Sequence, residues 1–375
     1  MLFMFFHCDH TLSSWYAARD PTPSHVLKTD LHTRDYFIAT GVLFSLSWLH
    51  RQIRIYFEHG INHRANISLA ANGFICVRIP TTAVWGVGQH FFVRFLSLEI
   101  HALSIHPFTA CSLSGASSHT DDSTSELVLY IRPQAGFTAR LAHYAETHPN
   151  GSMTVLLDGP YGGVHMQKIS KSQRQLVVAG GSGAGWLLPM ITTFLRQTQA
   201  GGDKEEEAKS LHSARIVLVT RDVTTNQWFE ETLRELLTTF GLDKMPTSLG
   251  VELYYTGSHD GTVTAAGSGQ FLQKFDEPEK AAGTQQIPVP SGSDSSSETG
   301  RSVAVKHHNG RPDLQSIIHA EVMSSGPTGQ LGVFVCGPAS MQVDVSNAVA
   351  DQQIAVLRGG TAKDVYLHME HFSWA

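Results

Sequence analysis

The chain has 375 residues, 42% of them apolar and 16% charged, and a net charge of −6. That is length for two to three domains of ~100–200 residues and enough apolar content for sizeable cores, which excludes a wholly disordered chain. The acidic balance gives no global basic footprint for nucleic acid. Four scattered cysteines (Cys8, Cys76, Cys111, Cys336) form no CxxC pair, which argues against a disulfide framework or a Cys-type zinc site.

Met1–Phe6 is apolar but too short for a signal peptide, and it lacks the basic start and the small-residue cleavage site. Tyr36–His50 carries no Asp, Glu, Lys or Arg. Continued to Phe57, the stretch covers about 33 Å as a helix at ~1.5 Å per residue, long enough for a ~30 Å hydrocarbon core. Residues 36–57 are therefore expected to form a transmembrane helix. Arg51 and Arg54 would close it on the cytoplasmic side, with Trp48 and Tyr56 in the interface belt. Residues 1–35 would be a remnant of a membrane region. The competing reading is a buried or interfacial helix, because the uncharged core is short.

Beyond Phe57 the pattern changes to short alternating segments. Phe74–Pro80, Gln89–Leu96, Leu127–Arg132 and Met153–Leu157 read as strands, and predict an antiparallel β-barrel over residues 60–165. Gln175–Ala179, Ala214–Thr220, Val251–Thr256 and Leu331–Cys336 are near-continuous apolar runs, as in parallel strands buried on both faces. Helical segments near 186–198, 227–240, 313–323 and 339–352 separate them. Residues 170–375 therefore read as a doubly wound α/β domain with a parallel sheet. Ser114–Ser125, Ala200–Lys209 and Glu277–Asn309 read as loop insertions, the last as disordered.

The first apolar run enters Gly180-Gly181-Ser182-Gly183-Ala184-Gly185, with a helical pattern after it. A glycine turn between strand and helix lets backbone N–H groups and the helix N-terminus approach a pyrophosphate. The spacing is G-x-G-x-G rather than GxGxxG, so a bare tight turn stays open as an alternative. A serine-hydrolase elbow on Ser182 fails, since Ala184 stands where the second glycine is needed. The second parallel strand ends in Arg221-Asp222, where a cation suits a 2′-phosphate and an acid suits a ribose hydroxyl. Arg221 favours NADPH and Asp222 works against it. The fourth run ends in Cys336-Gly337-Pro338, at a strand end where open α/β sheets bind ligands.

In chain order the motifs are His106-Pro107-Phe108-Thr109, Tyr130-Ile131-Arg132, Gly136-Phe137-Thr138, Asp158-Gly-Pro-Tyr-Gly162, the glycine turn, Cys336-Gly337-Pro338 and Glu370…Phe372…Trp374. Together they resemble the fungal ferric-chelate reductases and, more broadly, the NADPH oxidase group on the ferredoxin–NADP reductase fold. The resemblance implies that His106, Pro107, Phe108 and Thr109 hold FAD, with Thr109 near the flavin N5. It puts Ile131, Arg132, Gly136, Phe137 and Thr138 on the FAD pyrophosphate. Gly180, Gly181, Ser182, Gly183 and Gly185, with Cys336, Gly337 and Pro338, would bracket NADPH. Arg311 would lie near the nucleotide, Cys336 near the nicotinamide, and Trp374 would cover the flavin.

The resemblance further implies a plasma-membrane protein with its FAD and NADPH domains cytoplasmic. It would pass electrons from NADPH through FAD to a one-electron acceptor, a ferric chelate in iron uptake. A superoxide-producing oxidase module and an electron-exit-deficient remnant are the alternatives. The family's membrane helices carry four haem-ligating histidines. Here His7 alone matches one, and a single histidine cannot hold a bis-histidine haem; the sequence reads as an N-terminally truncated member.

Overall fold

The computed structural model describes residues 23–59, 63–96, 104–115, 124–200, 213–257, 305–359 and 362–370, with side chains from residue 34 onward. His7, Trp374 and most of the 277–309 segment lie outside the described residues.

A long helix, α1 (Pro23–His59), precedes two sheets. The first sheet is antiparallel and contains β1 (His63–Leu69), β2 (Ile75–Thr81), β3 (Gln89–Phe95), β4 (His106–Thr109), β5 (Ser125–Ile131) and β6 (Gly151–Gly162), in the spatial order β4-β3-β6-β1-β2-β5. Alternation puts Phe91, Val93 and Phe95 of β3 inward, with Ile75, Val77 and Ile79 of β2 and Leu127, Leu129 and Ile131 of β5. Helix α2 (Phe137–Thr147) closes one end of this core with Phe137, Leu141, Ala142 and Ala145. The expected barrel is a half-barrel, because the terminal strands β4 and β5 do not pair along their length. The chain leaving β4 bridges the gap instead: the Cys111 amide donates to Val128 O at 2.8 Å.

A short helix, α3 (Met166–Lys171), leads to the second sheet, which is wholly parallel. It comprises β7 (Arg174–Gly180), β8 (Ser213–Thr220), β9 (Leu249–Tyr255), β10 (Val305–Asn309), β11 (Gln330–Cys336) and β12 (Asp364–Glu370), ordered β10-β9-β8-β7-β11-β12. Helices α4 (Ala184–Ala200) and α5 (Val223–Thr239) cover one face, over Val177, Ala179, Ile216, Leu218 and Phe334. Helices α6 (Leu314–Ser325) and α7 (Ala339–Leu357) cover the other, over Leu176, Val178, Val217, Val333 and Val335. The strand order reverses between β7 and β11, which makes their carboxyl ends the switch point where such sheets open a ligand crevice.

Two further expectations are corrected. Residues 305–309 of the expected disordered insertion form β10, paired in register with β9, with His308 stacked on Tyr254 at 4.5 Å. Second, no helix among the described residues is long and apolar enough to cross a membrane. The uncharged part of α1 spans only about 22 Å at ~1.5 Å per residue. The two arginines that were to mark a membrane boundary are instead docked on the half-barrel. Arg51 Nε donates to Asp158 Oδ2 at 2.6 Å, and Arg54 Nη2 donates to Asp158 Oδ1 at 2.9 Å. Tyr161 donates to the same carboxylate at 2.5 Å. Burial pushes the Asp158 carboxyl up, but bonds from Tyr161, Arg51 and Arg54 outweigh it and hold it below the ordinary value.

An ion-pair hub braces the amino half of the parallel sheet. Glu321 of α6 accepts from Arg174 at 2.9 Å and from Arg215 at 3.2 Å, and Arg215 also reaches Glu252 at 2.9 Å. Glu321 and Glu252 are buried. Removing the shared charge takes the carboxylate from half-buried Arg174 and leaves Arg215 with Glu252 alone, so Glu321→Gln is expected to cost roughly 2–4 kcal/mol, read as a lower urea midpoint at unchanged m-value.

Candidate cofactor cleft

The His106–Thr109 strand pairs with β3 in the register His106↔Val93, Pro107↔Phe92, Phe108↔Phe91 and Thr109↔His90. Opposed residues share a face. His106 and Phe108 therefore lie on the core face, where the His106 ring stacks on Phe137 at 4.1 Å, while Ser104 Oγ meets His106 Nε2 at 2.8 Å. Pro107 and Thr109 lie on the outer face with Phe92 and His90. All four are half-buried. A ligand on either face meets two of these side chains and only the backbone of the others.

At the end of β5, Ile131 turns into the core and Arg132 turns out to solvent. Gly136 precedes α2 with φ of +73°, a left-handed conformation that only glycine adopts without strain. Nothing lies within 4 Å of where its Cβ would be, and no side chain caps the helix. The start of α2 thus carries no side-chain cap that an anion would have to displace. Thr138 Oγ1 accepts the Gln134 amide at 2.9 Å and shapes the approach. Phe137, expected at a pyrophosphate, has its ring in the core against Phe95 and His106. Its ring is therefore turned away from a ligand at the helix start.

The glycine turn forms a short 3-10 segment (Gly181–Gly183) between β7 and α4. Its glycines serve different ends. A Cβ on Gly183 would stand 2.6 Å from the Cys336 carbonyl oxygen, and one on Gly180 would stand 2.8 Å from Pro338 Cδ. A Cβ on Gly185 would meet Cys111 Sγ at 2.8 Å and the Tyr130 ring at 3.2 Å. These three glycines permit protein–protein approach, not ligand approach. Gly181 alone has φ of +56° and open surroundings; its Cβ position is 3.9 Å from Arg132 Nη1. Ser182 is half-buried beside it. Gly337 packs beside Gly180 and Met341, and Pro338 heads α7.

The turn also joins the two sheets. Trp228 of α5 receives Tyr130 edge-on at 4.7 Å and Phe74 at 6.0 Å. Arg196 Nη2 donates to Gly115 O at 3.3 Å. Nothing in the Trp228 context marked it as an interdomain residue. Burial pushes the Cys111 thiol up to about 12 and raises the Cys336 thiol further above its ordinary value, with Glu370 adding to it. Both stay protonated at neutral pH and serve as small buried groups rather than nucleophiles.

Thr220, Tyr255 and Asn309 are aligned across β8, β9 and β10. Arg221 and Arg311 follow the outer two of these strands, whose aligned ends stand about 10 Å apart, two strand spacings. Both are exposed. Asp222 is the N-cap of α5. Its carboxylate accepts from the Thr224 amide at 3.0 Å, from Thr224 Oγ1 at 2.8 Å and from Thr225 Oγ1 at 3.3 Å. The acid that complicated the reading of Arg221 is thus engaged by its own helix.

Family models match both halves of this cleft. An FAD-binding domain covers residues 62–165, and a ferric reductase NAD binding domain covers residues 174–350. The chain belongs to the ferric reductase family. It is 24% identical over 322 residues to ferric/cupric reductase transmembrane component 1 of Candida albicans, covering 84% of this chain and 37% of that one. To ferric/cupric reductase transmembrane component 7 of Saccharomyces cerevisiae it is 24% identical over 365 residues, covering 92% of this chain and 54% of that one. The chain thus spans about a third to a half of the length of these relatives. Among solved structures, a cytochrome P450 reductase from Amycolatopsis aligns at a TM-score of 0.47 and 12% identity, over 83% of this chain and 70% of that one.

Two outcomes follow. Gly183→Val drives a branched side chain into the Cys336 carbonyl, so it is expected to destabilise the fold by roughly 3 kcal/mol or more, with thermal unfolding shifted down even without nucleotide. Asp222→Ala removes a helix cap and is expected to cost about 1 kcal/mol. The ratio of NADPH to NADH affinity, measured by titration calorimetry, should not change.

Proposed function

We propose that this chain is the electron-input module of a ferric-chelate reductase, which binds FAD and NADPH and delivers electrons one at a time to an acceptor. The observation that carries the reading is the approach of Arg132, from the half-barrel, to the Gly181 turn, from the parallel sheet. The family membership supports it.

The residues present fit both groups. Arg132 would neutralise the FAD pyrophosphate through its planar fork, and the Gly136–Thr138 amides would supply aligned donors. Pro107 and Thr109 would flank the flavin on the outer face of β4, with His106 and Phe108 holding the strand from behind. FAD, once bound, supplies the conversion of a two-electron hydride donor into single-electron delivery. Gly181 and Ser182 would receive the nucleotide pyrophosphate at the start of α4. Arg221 and Arg311 would bracket the 2′-phosphate, which favours NADPH over NADH. Cys336, neutral and buried at the end of β11, would shape the floor beside the nicotinamide without offering a charge. No general base is required of the chain.

The apolar side chains of α1 support contact with a membrane. Tyr36, Ile38, Leu43, Phe44, Leu46 and Trp48 are each more than half exposed. Their number within three turns is far above what a solvated helix carries, and fits lipid or partner helices. Ferric-chelate reduction at a cell membrane is the reading that joins this surface to the cofactor cleft.

The test is anaerobic bleaching of the reconstituted flavin. NADPH is expected to bleach it faster than NADH at equal concentration, and absence of flavin binding would overturn the proposal. Arg221→Ala is expected to weaken NADPH by about 10-fold, the scale of one charge-assisted bond, and to leave NADH nearly unchanged.

A further inference from the structure

The seam between the two sheets holds a side chain that neither cofactor site uses. Tyr130 of β5 alternates with Leu129 and Ile131, which fill the half-barrel core, so its ring turns outward and packs on the core of the parallel domain. Two helices receive it. A Cβ on Gly185, in the first turn of α4, would stand 3.2 Å from Tyr130 Cδ2 and 3.3 Å from Tyr130 Cβ, so α4 meets the residue with no side chain between. From α5 the buried Trp228 ring meets it at 4.7 Å and an interplanar angle of 70°, an edge-to-face geometry that fixes orientation as well as distance. Phe74 of the half-barrel flanks Trp228 at 6.0 Å.

This contact lies between the two cofactor arms. Arg132 follows Tyr130 on the same strand end, and its Nη1 is 3.9 Å from the Cβ position of Gly181. Trp228 lies on α5, the helix that Asp222 caps directly after Arg221. The seam has a second apolar patch, where Trp186 of α4 packs with Val87, Leu113 and Val164. That patch keeps the domains attached if Tyr130 is lost, but a single patch leaves them free to pivot.

We propose that Tyr130, held between Gly185 and Trp228, is a positioning residue for hydride transfer: it sets the angle between the two domains and thereby the separation of nucleotide and flavin. The inference rests on the proposed function. The hydride leaves the nicotinamide C4 of NADPH with both bonding electrons and bonds to flavin N5, which oxidises the nucleotide and reduces FAD. Such a transfer is sensitive to placement, and an error of about 1 Å costs on the order of 100-fold in rate.

Anaerobic stopped-flow bleaching of the FAD-loaded full chain tests it, beside FAD affinity from flavin fluorescence and NADP⁺ affinity from titration calorimetry. Tyr130→Leu is expected to lower the limiting bleaching rate at saturating NADPH by about 10- to 100-fold and to leave both affinities close to the parent's. Trp228→Leu, on the other side of the seam, should do the same, and serves as the test if the first variant fails to fold. Tyr130→Phe keeps the ring and should bleach at the parental rate. The double Leu variant should be no slower than the slower single one, because both remove one contact. A parental limiting rate in the Leu variants would overturn the proposal. So would lost FAD or NADP⁺ affinity, which would show a binding role, or a Tyr130→Phe variant as slow as Tyr130→Leu, which would assign the effect to the hydroxyl. A parent that binds no FAD would overturn the proposed function, and this inference with it.

Discussion

The cleft depends on a backbone contact that leaves no room for a side chain. Gly183 presses its Cα toward the carbonyl oxygen of Cys336, with 2.6 Å left for any Cβ. That approach brings the ends of β7 and β11 together at the point where strand order reverses. Two residues on, Gly185 seats the first turn of α4 against Cys111 and Tyr130 of the half-barrel. The same five-residue turn therefore closes the switch point and fastens one sheet to the other. Only at Gly181 is the backbone left bare toward the crevice.

Much of the parallel domain was legible because its central strands are buried on both faces. Val177, Val178, Val217, Leu218, Val333 and Val335 leave no alternation to misread. The edges were not legible. Val305–Asn309 and Asp364–Glu370 carry polar residues through their length instead of a continuous apolar run, so they resemble loop. In the half-barrel, the interior strand His63–Leu69 was missed because Arg64, Asn66 and Ser68 break up its apolar residues, and α2 was missed because it begins on Gly136 with no Ser, Thr, Asp or Asn to mark its cap.

The site was legible as a set of motifs but not as a geometry. Sequence order brought Arg132, Gly136 and Gly181 onto one page, and the fold places Arg132 against the Gly181 turn. Two residues carried a signal that pointed elsewhere. Asp222 reads as a ribose ligand from its position at a strand end, but Thr224 and Thr225 after it are the better clue, since they make it a helix cap. Asp158 belongs to a recognised motif, and its two arginine partners lie about a hundred residues upstream on a helix where they suggested a membrane boundary. Ion pairs across that separation leave no local pattern to read.

The ion-pair hub at Glu321 and the arginines at Arg221 and Arg311 occupy opposite ends of the same strands. The charges that hold the sheet in register are spent near the amino ends of β7 and β8. Arg221 and Arg311, which we propose face the nucleotide, stand past the carboxyl ends, on turns that carry no share of the core. Selection for a different dinucleotide can therefore act on one rim without drawing on the stability reserve of the other. A protein wired in this way can change its electron donor in a few steps while its scaffold stays still.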